Sequence, residues 1–346
     1  MTKERVLIAM SGGVDSTAAA LLLQRGGYHV DGVMLRLHGE ADENAETDAR
    51  AAAAQLGVGF TLLEAQDAFR HSVVAPFIAE YCAGRTPNPC IRCNESIKFG
   101  LLMDYALSHG YDYLATGHYA RVERDAATGQ CRLLQGKDLR KDQSYVLCRL
   151  TQHQLRHLLL PLGEIDKAAA RALVQEAGLL NADRGDSQDL CFIPDGDYVS
   201  FLEREGVSLQ SGNFIDEDGT VLGQHRGLPC YTIGQGKGLG IALGRHVYVL
   251  AKNAEANTVT LGDNDRLFTR HLTAGEMNWL AGSTPSSPFR CSAKTRYSQK
   301  NAAATAEVLP ERRLHLTFDE AQRAITPGQT VVLYDGSIVL GGGIIE

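Results

Sequence analysis

Eight residues near the start of the chain, Ala9-Met10-Ser11-Gly12-Gly13-Val14-Asp15-Ser16, constrain the fold more than any other stretch. They follow an apolar strand, Arg5-Val6-Leu7-Ile8, and precede a helical run from Thr17 to Gln24. A strand, a glycine-rich turn and a helix start together make an anion site. The turn exposes backbone N–H groups, the helix start carries about half a positive charge, and glycines admit phosphate oxygens to the main chain. Ser11 and Ser16 add hydroxyls, and Asp15 adds a carboxylate suited to Mg²⁺. No Gly-Lys-Ser/Thr follows, so this is not a Walker A loop.

Beyond the loop, strand and helix alternate. Strands are expected at 5–10, 30–37 and 60–64, and helices at 17–25, 48–56 and about 68–83. The alternation predicts an α/β fold with a parallel sheet covered on both faces and ligand at the strands' carboxyl ends. A Pro-bounded loop, Gly84–Pro89, leads to a helix over 94–109. A short strand, Tyr113–Ala115, then ends in Thr116-Gly117-His118, followed by a hairpin-like stretch turning at Asp125–Gly129. From about Gly206 the pattern becomes short β-strands with frequent turns, including an Asp218-Gly219 hairpin. The expected organisation is a catalytic domain over 1–205, a small central β-rich domain over 206–270 and a small C-terminal β-barrel over 271–346.

At 346 residues, with 44% hydrophobic and 22% charged residues, the chain is expected to fold as a soluble protein of about two or three domains. The N-terminus leads straight into a strand and no apolar run nears membrane-spanning length, so neither export nor a membrane is expected and the location is expected to be cytoplasmic. There, eight cysteines point to catalysis or metal binding rather than structural disulfides. The net charge of −7 argues mildly against a nucleic acid partner. However, residues 132–156 and 290–313 each carry six basic against two acidic side chains, which would suit a phosphate-tracking surface.

Cys90 and Cys93 form a Cys-x-x-Cys pair placed just before a helix N-terminus, a position that lowers thiol pKa. Cys191 follows a Gly/Asp-rich loop. Cys82, Cys131, Cys148, Cys230 and Cys291 lie in regular strand or helix patterns and are expected to be small buried hydrophobes. A second Cys-x-x-Cys for a structural zinc site is missing from the sequence.

Ala9–Ser16 is similar to the SGGxDS loop of the PP-loop ATP pyrophosphatases. The whole chain resembles the bacterial tRNA-specific 2-thiouridylases. The matching strings include Gly84–Pro89, Cys93-Asn94, Ile97-Lys98-Phe99, Ala115–Tyr119, Lys141–Tyr145, Asp186-Ser187, Cys191–Ile193, Gly234-Gln235, Lys237–Gly240, Lys294–Tyr297, Thr326–Gln329 and Leu340–Glu346, in order along the chain. The resemblance implies ATP-dependent replacement of O2 of a tRNA wobble uridine by sulfur. Adenylation turns a poor oxygen leaving group into AMP. It assigns ATP to Ala9, Met10, Ser11, Gly12, Gly13, Val14, Asp15, Ser16, Leu35 and Gly117, with Mg²⁺ on Asp15. Cys191 is implied to carry the incoming sulfur as a persulfide. Cys93 is implied to attack and leave a transient Cys93–Cys191 disulfide.

Asn88, Pro89, Cys90, His118, Lys141, Asp142, Gln143, Arg296, Tyr297 and Gln329 are the implied tRNA contacts. The implied partners are tRNAs reading Lys, Glu and Gln codons and a sulfur donor such as a cysteine desulfurase or a relay carrier. One departure stands out, because several family members carry Asp where this chain has Cys90. That substitution raises a second expectation, a [4Fe–4S] cluster on Cys90, Cys93 and Cys191. Two other functional classes compete: a different PP-loop adenylating synthetase, and a non-enzymatic nucleotide- or cluster-binding regulator.

Overall fold

The computed structural model describes residues 3–38, 43–179 and 190–346. Asp186 and Ser187, matched in sequence, lie outside the described residues. From the N-terminus run β1 (Arg5–Ala9), helix α1 (Val14–Arg25), β2 (His29–Arg36), α2 (Glu43–Leu56) and β3 (Gly59–Glu64). Two long helical runs follow, over 66–82 and 89–108. Next come β4 (Tyr113–Ala115), a hairpin of β5 (Ala120–Arg124) and β6 (Cys131–Gln135), and the short β7 (Leu158–Leu159).

Strands β1, β2, β3, β4 and β7 form the expected parallel sheet in the order β3-β2-β1-β4-β7. Val6, Leu7 and Ile8 of β1 are essentially inaccessible, as a central strand covered on both faces requires. Leu7 packs with Val33, Phe99 and Leu102 on one face. Ile8 packs with Ala18, Ala19 and Ala49 on the other. The small alanines let α1 and α2 lie close to the sheet. Strand order reverses between β1 and β4, and an open α/β sheet places its ligand crevice outside such a switch point.

The second module is a four-stranded sheet of β8 (Gly212–Ile215), β9 (Val221–His225), β10 (Tyr248–Asn253) and β11 (Thr258–Gly262). Its β8–β9 hairpin turns where Asp218-Gly219 predicts. Asp216 accepts hydrogen bonds from the Asp218 and Thr220 amides at 3.0 and 2.8 Å. The third module comprises β12 (Phe268–Trp279), β13 (Phe289–Lys294), β14 (Ala302–Leu309), β15 (Arg313–Arg323), β16 (Thr330–Asp335) and β17 (Ile338–Ile345). These close into a barrel through β12–β17 pairing. The hairpin β5–β6 extends the barrel sheet through Ile338 and Leu134, so the first and third modules share hydrogen-bonded backbone. Within the described residues, no helix is long and apolar enough to cross a membrane.

Candidate active site

The loop after β1 and the loop after β4 meet at the switch point. Gly12 takes a φ of 72°, a left-handed conformation that glycine adopts without strain, and Gly13 precedes α1 in an extended conformation. Glycine at this position has no side chain to cap the helix, so the first-turn N–H groups face the crevice. Ser16 Oγ holds the turn by accepting from the Ser11 amide at 3.2 Å and donating to the Gly13 carbonyl at 3.1 Å. Thr17 Oγ1 donates to the same carbonyl at 3.1 Å. The fold thus builds the anion cradle read from the sequence.

Gly117 lies against this cradle. A Cβ there would stand 2.9 Å from the Asp15 carbonyl carbon and 3.0 Å from the Ser16 nitrogen. Its glycine identity therefore serves the packing of two loop backbones. Gly117→Ala is expected to push the loops apart, costing about 1–3 kcal/mol of stability and raising the ATP concentration for half-maximal turnover. Thermal melts and ATP saturation curves measure both effects. A variant matching the parent in both would show that the loops have room to spare.

The structure adds a residue that sequence reasoning missed. Lys167, at the first turn of the helix Lys167–Glu176, reaches Asp15 with Nζ 2.7 and 2.9 Å from its two carboxylate oxygens. Tyr119 Oη donates to Asp15 Oδ1 at 2.7 Å. Both oxygens of Asp15 are engaged and its charge is neutralised by an ammonium. An Mg²⁺ ion on Asp15 would have to displace Lys167 from at least one of these oxygens.

Leu35, near the end of β2, packs partly buried between the core under the sheet and a second apolar cluster. That second cluster contains Phe69, Phe77, Cys93, Ile97 and Ile193, with Leu190 and Phe192 packed against it. Phe192 makes edge-on contacts with Phe69 at 5.8 Å and Phe77 at 5.2 Å between ring centroids. The residues flanking Cys191 are thereby fixed to the wall that holds Cys93. Cys191 is exposed, Cys93 is 8% exposed, and no disulfide joins them.

The two thiols of the Cys-x-x-Cys pair differ from expectation. The helix starts at Pro89, a residue suited to a first helical position, so both cysteines lie within its opening turns rather than ahead of it. Burial pushes both thiol pKa values up rather than down. The Lys98 ammonium opposes that rise, and for Cys93 the neighbouring Cys90 adds to it. Cys90 reaches the surface, but the protein crowded around it still disfavours its thiolate.

The three thiols expected to hold a cluster are not drawn together in this structure. Among the described residues, which include all three thiols, no three His, Cys, Asp or Glu side chains are gathered to hold a metal. Cys93 is set in the wall whereas Cys90 and Cys191 are exposed. Of the remaining cysteines, Cys131, Cys148 and Cys230 are buried as expected, and burial pushes the Cys148 thiol to about 12. Cys291 is only half-buried, and Cys82 is exposed at the end of its helix, contrary to expectation.

The residues matched to tRNA contact fall into two groups. Some hold the site together. Asp142 is buried and accepts from Gln135 Nε2, the Gly136 and Ser144 amides and Ser144 Oγ at 2.9–3.1 Å. Gln143 Oε1 accepts from the Tyr119 amide at 3.0 Å. Arg296 donates to the Arg323 and Ala324 carbonyls at 3.0 and 2.8 Å. Gln329 Nε2 donates to the Thr86 carbonyl at 2.9 Å. Beside it, Gly328 at φ 89° lets the barrel turn approach Arg85 and Thr86, so the barrel clamps the loop before the thiols. His118 is buried with its Nδ1 2.8 Å from Thr116 Oγ1. Burial first, then Lys98, keeps its pKa well below the usual imidazole value, so it is neutral at pH 7.

Of the others, Tyr297 and Cys90 are exposed. Tyr297 is 43% exposed, edge-on to Tyr145 at 6.0 Å, with the Lys294 ammonium 6.0 Å from its ring centre. Asn88, at the helix start, and Lys141 are half-buried, while Pro89 is buried. Five of the twelve basic residues noted in sequence are spent on ion pairs: Lys137–Glu164, Arg140–Asp138, Arg149–Glu95, Arg290–Asp319 and Arg313–Glu346.

Three family models cover the chain in order. They are a tRNA methyl transferase HUP domain over residues 4–195, a tRNA methyl transferase PRC-barrel domain over 199–263, and an aminomethyltransferase β-barrel domain over 269–345. The tRNA-specific 2-thiouridylase MnmA of Acetivibrio thermocellus is 44% identical, with 100% of each chain covered. That of Carboxydothermus hydrogenoformans is 46% identical, over 99% of this chain and 98% of the relative. Among solved structures, the U34-tRNA thiolase NcsA from Methanococcus maripaludis, with its [4Fe-4S] cluster, overlays at a TM-score of 0.36. Its identity is 17%, covering 58% of this chain and 66% of that one, too slight a likeness to say anything of this site. Full-length identity at this level, on a parallel-sheet domain with a PP-loop cradle and two following β-modules, places the chain in the tRNA-specific 2-thiouridylase family.

Proposed function

We propose that the chain is an ATP-dependent tRNA sulfurtransferase that converts a wobble uridine to 2-thiouridine. The observation that carries this reading is the shared wall. Leu35 from the nucleotide side, Cys93 and the residues flanking Cys191 pack in one apolar cluster beside the switch-point cradle. A phosphate cradle and two thiols so placed suit activation by nucleotide followed by sulfur delivery, whereas an ordinary adenylating synthetase needs no such thiols.

The uridine O2 attacks the α-phosphorus of ATP, and pyrophosphate leaves along the loop Ala9–Ser16. The terminal sulfur of a Cys191 persulfide, supplied by an external donor, then attacks C2. AMP leaves with the former O2. The Cys93 thiolate attacks Cys191 Sγ, the bond between the two sulfurs breaks, and the thiouridine is released. A Cys93–Cys191 disulfide remains, which an external thiol reductant returns to the dithiol. Neutral His118 beside Phe99, at 5.9 Å between ring centroids, and the exposed ring of Tyr297 suit an unpaired base better than a phosphate.

The test is pyrophosphate release with different acceptors. Unmodified tRNA stimulating release at least about tenfold over protein alone is the expected outcome, with small carboxylic acids giving none. Release driven by a small acid and indifferent to tRNA would transfer the chain to the synthetase class.

A further inference from the structure

Lys98 lies close enough to Cys90 and Cys93 to act on both thiols. It is half-buried, and among the described residues it makes no hydrogen bond or ion pair. Its two chain neighbours fix its place. Ile97 and Phe99, each 1% exposed, are locked into different apolar clusters on either side. An unpaired ammonium withdrawn from water is costly, and such a group is ordinarily paired.

The local helix geometry explains where it points. The stretch Asn94–Leu101 is a π-helix, in which backbone hydrogen bonds span five residues rather than four. In an α-helix, five residues advance about 500°, which would swing Lys98 about 140° away from Cys93. The wider π-turn reduces that offset and brings Lys98 closer to the face that carries Cys93. The electrostatics agree. Lys98 is the cation that acts on Cys90, on Cys93 and on His118.

Among the described residues, the other charged and titratable groups of this region are basic, engaged elsewhere or uncharged, and the carboxylate of Asp142 is taken by Gln135, Gly136 and Ser144. On the same helix, Arg92 is itself basic, and Glu95 is taken by Arg149 at 2.9 Å. His118, from the loop after β4, is neutral. Tyr81, in the wall, and Tyr297, from the barrel, are both held in the phenol form by burial. The nucleotide cradle has a cation of its own in Lys167.

We propose that Lys98 is the counter-ion for the anionic sulfur handled at this site, the deprotonated hydropersulfide that an external persulfide donor leaves on Cys191. This deepens, and rests on, the sulfurtransferase reading above. The sulfur anion arrives beside a cation already oriented by core packing. Lys98 acts on the sulfur through charge alone and exchanges no atom with it.

The experiment reads local positive charge directly in the full-length, reduced protein, without tRNA or ATP. Each thiol is alkylated with anionic iodoacetate and with neutral iodoacetamide at one pH. The ratio of the two rates cancels the thiolate fraction and leaves the attraction of the site for an anion. Tryptic cleavage after Arg92 puts Cys90 and Cys93 on separate peptides, so mass spectrometry reads each. In Lys98→Met the iodoacetate-to-iodoacetamide ratio is expected to fall severalfold at one or both thiols, and in Lys98→Arg to stay near the parent value. With a small-molecule persulfide as donor, Lys98→Met should need severalfold more donor for half-maximal thiolation, with the tRNA and ATP requirements unchanged.

An unchanged ratio in a Lys98→Met protein that melts like the parent overturns the proposal. So does a rise confined to the tRNA or ATP requirement, which would make the bound anion a phosphate. Failure of the parent protein to thiolate any tRNA would sink the functional reading and the sulfur assignment with it. The alkylation ratio separately decides whether a cation faces the thiols.

Discussion

Cys191→Ser is expected to reduce thiouridine formation by about a thousandfold or more while leaving ATP affinity unchanged. A serine hydroxyl cannot carry a transferable sulfur, and loss of a covalent nucleophile commonly costs this much or more. Folding should hardly notice the change, because Cys191 is exposed and its segment is anchored by Phe192 and Ile193 rather than by the thiol. The loop after β1, proposed to hold the nucleotide, contains no cysteine. The measurement pairs nucleoside analysis of the tRNA product with ATP titration of the same protein. Full activity in the serine variant would remove Cys191 from the chemistry. A loss of ATP affinity in parallel with activity would mean that the 190–193 turn supports the nucleotide cradle instead.

Lys167→Met is expected to weaken ATP use by about ten- to a hundredfold, corresponding to about 1–3 kcal/mol. In the parent, Asp15 stands in the first turn of α1, where the polyphosphate is to be bound, and its charge is cancelled by Lys167 at 2.7 Å. Without the ammonium, a bare carboxylate faces the incoming phosphates across a partly dehydrated gap, and the two repel. The double variant Asp15→Asn/Lys167→Met removes both charges and is expected to recover part of the loss. That recovery separates electrostatic coupling from simple disruption. An ATP saturation curve unmoved by Lys167→Met would show that the ion pair is merely structural. A double variant as poor as the product of the single losses would show that the two residues act independently.

How much was legible in the sequence followed from how local each interaction is. The loop Ala9–Ser16 announces itself because its chemistry lies within eight residues and its strand and helix adjoin it. The parallel sheet and the Asp216–Thr220 turn are likewise set by short-range pattern. Lys167 was invisible because its partner lies 152 residues away and a lysine in a helix's first turn reads as solvated surface. The pairing of β6 with β17 was hidden for the same reason, since a two-stranded hairpin does not advertise which sheet it will extend.

The thiols illustrate the competition between effects. A helix start favours thiolate, but the density of protein packed around residues 89–108 outweighs it, and only the fold shows that density. The basic tracts mislead in the opposite sense. Each charge counts equally in sequence, but carboxylates from distant strands and helices neutralise many of them once the chain folds. Lys98, which has no such partner among the described residues, sits inside a matched string and carries no distinguishing mark there.

The central claim is that this chain puts sulfur on a tRNA base at the expense of ATP. Its most direct test is nucleoside mass spectrometry of unmodified tRNA incubated anaerobically with the protein, Mg·ATP and a sulfide source. A wobble uridine heavier by the difference between sulfur and oxygen, formed only when ATP is present, is the predicted result. Intact uridine under these conditions and with persulfide donors, while the same protein binds tRNA and cleaves ATP, would contradict it.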